Sequence, residues 1–116
     1  MKILLSLALL AVCVLQAAHS ATVTCSSGAS LASNQGKWHG ESKECVAGIK
    51  HFCSVSGSFT KTARKGRKVL DNCSNIAPYT AIATFNAKNQ YEGHAAIFMS
   101  CNSQTKRIVV YDQWNA

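Results

Sequence analysis

A secreted protein with an odd number of cysteines keeps one sulfur unpaired, and that sulfur is where chemistry is to be sought first. The chain holds six cysteines, of which Cys13 lies in an apolar opening stretch. The other five are Cys25, Cys45, Cys53, Cys73 and Cys101. An even set can close as disulfides, in a pairing that sequence leaves open, and one thiol remains. Cys45 has the most distinctive setting. In Ser42-Lys43-Glu44-Cys45-Val46-Ala47-Gly48-Ile49-Lys50-His51-Phe52-Cys53 the apolar positions recur at helical spacing, and Ser42 reads as an N-cap. Cys45 then falls in the first turn, where unpaired N–H groups and the helix dipole favour a thiolate. Lys43 acts in the same sense and Glu44 against it. Counting alone also allows Cys45 to be bridged and another cysteine to be free. Zinc is not expected: the chain has neither a C-x-x-C nor a paired-histidine motif. No cofactor is expected.

A thiolate nucleophile needs a base that later protonates the leaving amine, and imidazole suits both tasks. His39, His51 and His94 qualify. His51 is six residues past Cys45, about 1.7 helical turns, so their side chains diverge. His39 lies in the loop before the helix and can approach. His94 opens a strand directly after Gly93, which permits close approach of backbone or substrate. Asp112 sits near the end of the next strand, where it can hold the far ring nitrogen of His94. Gln113 is the alternative orienting group. Backbone N–H groups at the helix start, including that of Cys45, would form an oxyanion hole. Trp38, Gly93, Gln113 and Trp114 are candidate substrate contacts, although large aromatics in a small domain more often belong to the core.

The elements that must position these residues follow from pattern. Met1-Lys2, the apolar run Ile3 to Leu15 and the small residues around Ala18-His19-Ser20 have the form of an export leader. The run is shorter than the roughly 20 residues that span a bilayer, so no stable membrane anchor is expected. Residues 1–20 are read as the leader and 21–116 as one domain. Residues 21–37 form a loose segment tied down by Cys25, and 42–53 form the helix. Residues 54–68 read as a loop. Strands follow at 79–85, 94–101 and 107–114, joined by short polar turns, which gives an antiparallel meander and an α+β fold.

Lys and Arg number 12 against 5 Asp and Glu, a formal charge of +7. Lys61, Arg64, Lys65, Arg67 and Lys68 crowd into eight residues. Such a patch suits anionic wall polymers or acidic lipid, or merely keeps a surface loop solvated. Nucleic acid is not the expected partner of an exported protein, and a monomer is expected.

Four blocks, Glu44-Cys45-Val46-Ala47, Thr80-Ala81-Ile82-Ala83-Thr84-Phe85, Gly93-His94-Ala95-Ala96-Ile97-Phe98 and Val110-Tyr111-Asp112-Gln113-Trp114, stand in a specific order and spacing. Over residues 38–115 the chain resembles the type VI secretion amidase effectors, above all their second subfamily and its secreted, domesticated arthropod relatives. The resemblance implies a papain-like fold of the NlpC/P60 type, with a nucleophile helix packed on a small antiparallel sheet. It implies cleavage of peptidoglycan stem peptides, with Cys45 as nucleophile, His94 as base and Asp112 as third polar group. The D-alanine–diaminopimelate cross-link is the favoured bond, although other subfamilies cut within one stem. The bacterial members lack an export leader, and the leader and extra cysteines here fit an extracellular defence protein. A non-enzymatic, disulfide-stapled cationic antimicrobial or wall-binding protein is the competing expectation. An inactive wall-binding module or inhibitor is a third.

Overall fold

A computed structural model describes residues 2–7, 12–16, 22–26, 33, 36–40, 42, 44–53, 55 and 59–113. Its strands are β1 (Lys2–Leu7), β2 (Val12–Gln16), β3 (Arg64–Lys68), β4 (Thr80–Phe85), β5 (Tyr91–Asn102) and β6 (Arg107–Asp112). They form one sheet in the order β1-β6-β5-β4-β2-β3, and every pairing is antiparallel. The helices are α1 (Cys45–Phe52) and the single turn α2 (Phe59–Thr62). This is an α+β arrangement of a helix and an antiparallel sheet.

Alternation explains β4 to β6. Ala81, Ala83, Ala95, Ile97 and Tyr111 share a core with Ile49 and Phe52 of α1. Their neighbours Ile82, Ala96, Phe98, Ile108 and Val110 turn to a second core with Val69 and Ile76. Successive strand residues face opposite sides, so a strand that is apolar at both parities is covered on both faces. The segment after β3 provides the second cover. It is stapled by the Cys73–Cys101 disulfide, while Cys25–Cys53 joins the N-terminal segment to the end of α1.

Three local expectations are corrected. The N-cap of α1 is Glu44, with no side-chain hydrogen bond; the Ser42 hydroxyl instead accepts from the Glu44 N–H at 3.2 Å. The stretch 54–68 is not all loop: it contains α2 and β3. The basic run becomes a strand because β2 offers it a free edge, and backbone pairing needs no apolar side chain. Its charges also suit the edge position, since exposed cations discourage pairing with another chain. Residues 22–25 are held rather than loose: the Val23 N–H reaches the Leu15 carbonyl and the Cys25 N–H the Tyr79 carbonyl.

Two segments of the expected leader are strands of the uncut chain. β1 lies beside β6, and β2 lies between β4 and β3. Val14 and Leu15 are buried there. The expected cleavage point at Ser20 lies outside the described residues.

Candidate active site

Helix α1 owes its place to packing rather than to a cap. Ile49 and Phe52 bury against β4, β5 and β6, each stabilising the docked helix by about 1.5–3 kcal/mol. Lys50 and His51 in the last turn complement the helix dipole. Gly48 interrupts the helix at a cost of about 1 kcal/mol. In return it leaves room for Gln113, whose side-chain carbons would lie 3.1 Å from a Cβ at that position.

Gln113 uses that space to clamp the chain ahead of Cys45. Its amide nitrogen donates to the carbonyls of His39, Ser42 and Glu44 at 2.7, 3.1 and 2.8 Å. Its carbonyl oxygen accepts from the His39 N–H at 2.9 Å. Gln113, expected as a substrate contact, is only 1 % exposed. Its polar atoms are consumed in fixing the helix start.

Cys45 is the first residue of α1 and is 8 % exposed. It is unpaired, as is Cys13. The Tyr91 hydroxyl lies 3.6 Å from its sulfur. Burial pushes the Cys45 thiol pKa up, but hydrogen bonds from the His94 imidazole, the Tyr91 hydroxyl and the Ala95 N–H outweigh it, and the net shift is downward.

His94 reaches the site through an irregularity in β5. Ala83 pairs with Ala95 but Phe85 with Tyr91, so β5 carries two extra residues across from Thr84. Gly93 takes φ 104° in this bulge, and a Cβ there would lie 2.6 Å from the Thr84 hydroxyl oxygen. A side chain is excluded on both counts. The Thr84 hydroxyl accepts from the His94 N–H at 2.9 Å and donates to the Glu92 carbonyl. Gly93, expected beside substrate, therefore faces Thr84 and shapes the bulge.

Register supplies the third group. Ile97 pairs with Tyr111, so the next residue of β6, Asp112, comes beside the part of β5 that carries His94. Asp112 is 1 % exposed. Its Oδ2 lies 2.6 Å from His94 Nε2, while its Oδ1 has no hydrogen-bond partner among the described residues. Burial presses the His94 pKa down, but the bonds to Asp112 and Cys45 dominate and raise it to about 9. Cys45, His94 and Asp112 thus form one connected chain of polar contacts, polarised toward thiolate and imidazolium.

The other expected residues lie elsewhere. His39 and His51 stack on each other, ring centroids 4.9 Å apart, and both meet Phe52 edge-on. Trp38 is 46 % exposed rather than core, and Trp114 lies outside the described residues. In the basic run, Arg67 donates to the Asn75 carbonyl and Lys68 pairs with Asp71 at 3.9 Å. Tyr91 and Thr84 are the functional candidates that sequence reasoning passed over. A threonine facing a glycine across two strands is the one signal that could have marked the second.

Comparison with known proteins bears on this arrangement. The family model described as "Domesticated amidase effector 2" matches residues 13–116. The chain belongs to that family. It is 49 % identical over 87 residues to "Domesticated amidase effector 2" of Ixodes scapularis, an alignment covering 71 % of this chain and 59 % of the relative. The chain thus spans about six tenths of the length of the curated relative it matches. No solved structure matches. Among the described residues no helix is long and apolar enough to cross a membrane.

Proposed function

We propose that this chain is a secreted cysteine amidase that hydrolyses stem-peptide bonds of bacterial peptidoglycan, built as an NlpC/P60-type papain-like domain. One observation carries the reading: a buried carboxylate holds the His94 imidazole at 2.6 Å, and that imidazole lowers the pKa of a free sulfur at a helix start. Membership of an amidase effector family supports it.

The chemistry follows from the contacts. With Nε2 engaged by Asp112, Nδ1 of His94 is left to exchange a proton with the sulfur. The Cys45 thiolate attacks the amide carbonyl and a C–S bond forms. The oxyanion is met by the Cys45 N–H and the Tyr91 hydroxyl, a donor already beside the sulfur. Imidazolium gives its proton to the departing amine as the C–N bond breaks. His94 then takes a proton from water, which hydrolyses the thioester and frees the thiolate. The proposed bond is the cross-link between D-alanine and the neighbouring diaminopimelate.

Defined cross-linked muropeptides test this, with product masses read for wild type beside Cys45→Ala. Wild type is expected to release a new amine, and the variant is expected to lose at least about 10³-fold in turnover while keeping its fold. Full activity in the variant would remove Cys45 from the mechanism. Export with cleavage after Ser20 is part of the same proposal, and such a cut takes β1 and β2 out of the sheet and leaves β3 without its pairing edge. The mass of the secreted protein checks it, and retention of residues 1–20 refutes it.

The basic edge strand β3 favours a second reading, a cationic protein that acts by binding bacterial surfaces. That reading requires killing that tolerates Cys45→Ala and weakens steeply with salt.

A further inference from the structure

A groove of about 540 Å³, reaching the Cys45 site through Tyr91, has walls that include Lys61, Arg64, Lys88, Asn89, Gln90 and Tyr91. Three separate segments bring its cations together: α2, the start of β3 and the turn between β4 and β5. Among the described residues no carboxylate lines it. The walls are tied to each other, since Lys65 on β3 donates to the Asn89 side chain at 3.3 Å. Arg64 donates one guanidinium nitrogen to the Thr62 carbonyl, which fixes its direction. Tyr91 connects this groove to the reacting atoms. It forms part of the wall, and its hydroxyl is 3.6 Å from the Cys45 sulfur.

Three like charges held around one concavity repel each other, and a bound anion relieves that repulsion. A peptide with free carboxylates that reaches across Tyr91 would present its scissile amide to Cys45 and its anionic groups to the cations. We infer that this groove is the subsite for the carboxylate-bearing arm of the peptide substrate, with Lys61 and Lys88 as its recognition groups. This assignment rests on the cysteine-amidase reading and deepens it, because it makes free carboxylate a requirement of the substrate. Lys88 lies outside the basic run that composition singles out. The turn after β4 is what adds it to the site.

The test compares the double variant Lys61→Ala/Lys88→Ala with the wild-type chain on a soluble muropeptide. One substrate form carries free carboxylates and the other has them amidated. On the free form, KM is expected to rise about tenfold in the variant, with kcat and the rate of Cys45 alkylation unchanged. Amidation is expected to raise the wild-type KM by a similar factor and to leave the variant's KM where it was. Added salt should shrink the difference between the two proteins. An unchanged KM in the double variant overturns the assignment. So does a defect that is equally large on the amidated substrate. A parallel arm measures binding of both proteins to sacculi with and without their phosphate polymer. A binding difference confined to the phosphate-bearing sacculi would make phosphate the ligand and also overturn the assignment. Loss of activity in Cys45→Ala with no Lys61/Lys88 effect rejects the groove alone. Retained activity in Cys45→Ala rejects the underlying reading.

Discussion

At the scale of single residues, two groups titrate as a pair. The Cys45 pKa is lowered from 9.0 and that of His94 is raised to about 9. The reactive form is thiolate with imidazolium, so activity should rise as Cys45 loses its proton below pH 9 and fall as His94 loses its own near pH 9. The same shift has a sign for stability. A histidine whose pKa is raised on folding stabilises the fold fully below its ordinary 6.5, and that contribution fades as pH climbs through about 9. Tyr91→Phe removes one of the bonds that lower the thiol pKa. The acid limb of its pH–activity curve should therefore move to higher pH, and an unmoved limb would show that the hydroxyl does not act on the sulfur. Cys45, His94 and Asp112 were readable because cysteine parity, residue chemistry and strand register each speak through residue type. Tyr91 was not. Its position depends on the two extra residues in β5, and a polar stretch such as Asn86 to Glu92 reads as turn whether or not the strand starts inside it.

Elements position those residues through backbone contacts more than through caps. The bulge in β5 is bound to β4 by one hydroxyl, that of Thr84, which holds the His94 N–H at 2.9 Å. Thr84→Val keeps the shape but leaves that N–H unpaired, at a cost of about 1–3 kcal/mol. Because catalysis depends on sub-ångström placement, kcat should fall about 10²-fold, and Thr84→Ser should restore most of it. Steady-state kinetics of the two variants check this, and undiminished kcat in the valine variant would make the clasp incidental. The helix and β4 to β6 were legible because their apolar spacing reports burial directly. β3 was illegible for the opposite reason: Arg64-Lys65-Gly66-Arg67-Lys68 has no apolar residue, and its pairing is dictated by the edge of β2. Nor does pattern distinguish an apolar leader from an apolar strand, since Val12 to Leu15 satisfies both.

Over the whole molecule, two disulfides brace a helix-on-sheet core, each joining cysteines 28 residues apart. Each is worth roughly 3 kcal/mol against unfolding, a large share of what so small a domain possesses. One bridge, Cys25–Cys53, is fastened to the residue that ends α1, while the proposed mechanism needs the sulfur at the other end of that helix reduced. Dithiothreitol thus has opposite effects at the two ends of α1. Low millimolar amounts should rescue enzyme inactivated by oxidation at Cys45. Higher amounts, or mild heating with reductant, should melt the helix anchorage and abolish turnover. A dose curve with an interior maximum is expected, in contrast to the monotonic activation of a cysteine hydrolase without bridges. Such a curve would tie the proposed activity to surroundings oxidising enough to keep both bridges closed yet mild enough to spare the Cys45 thiol.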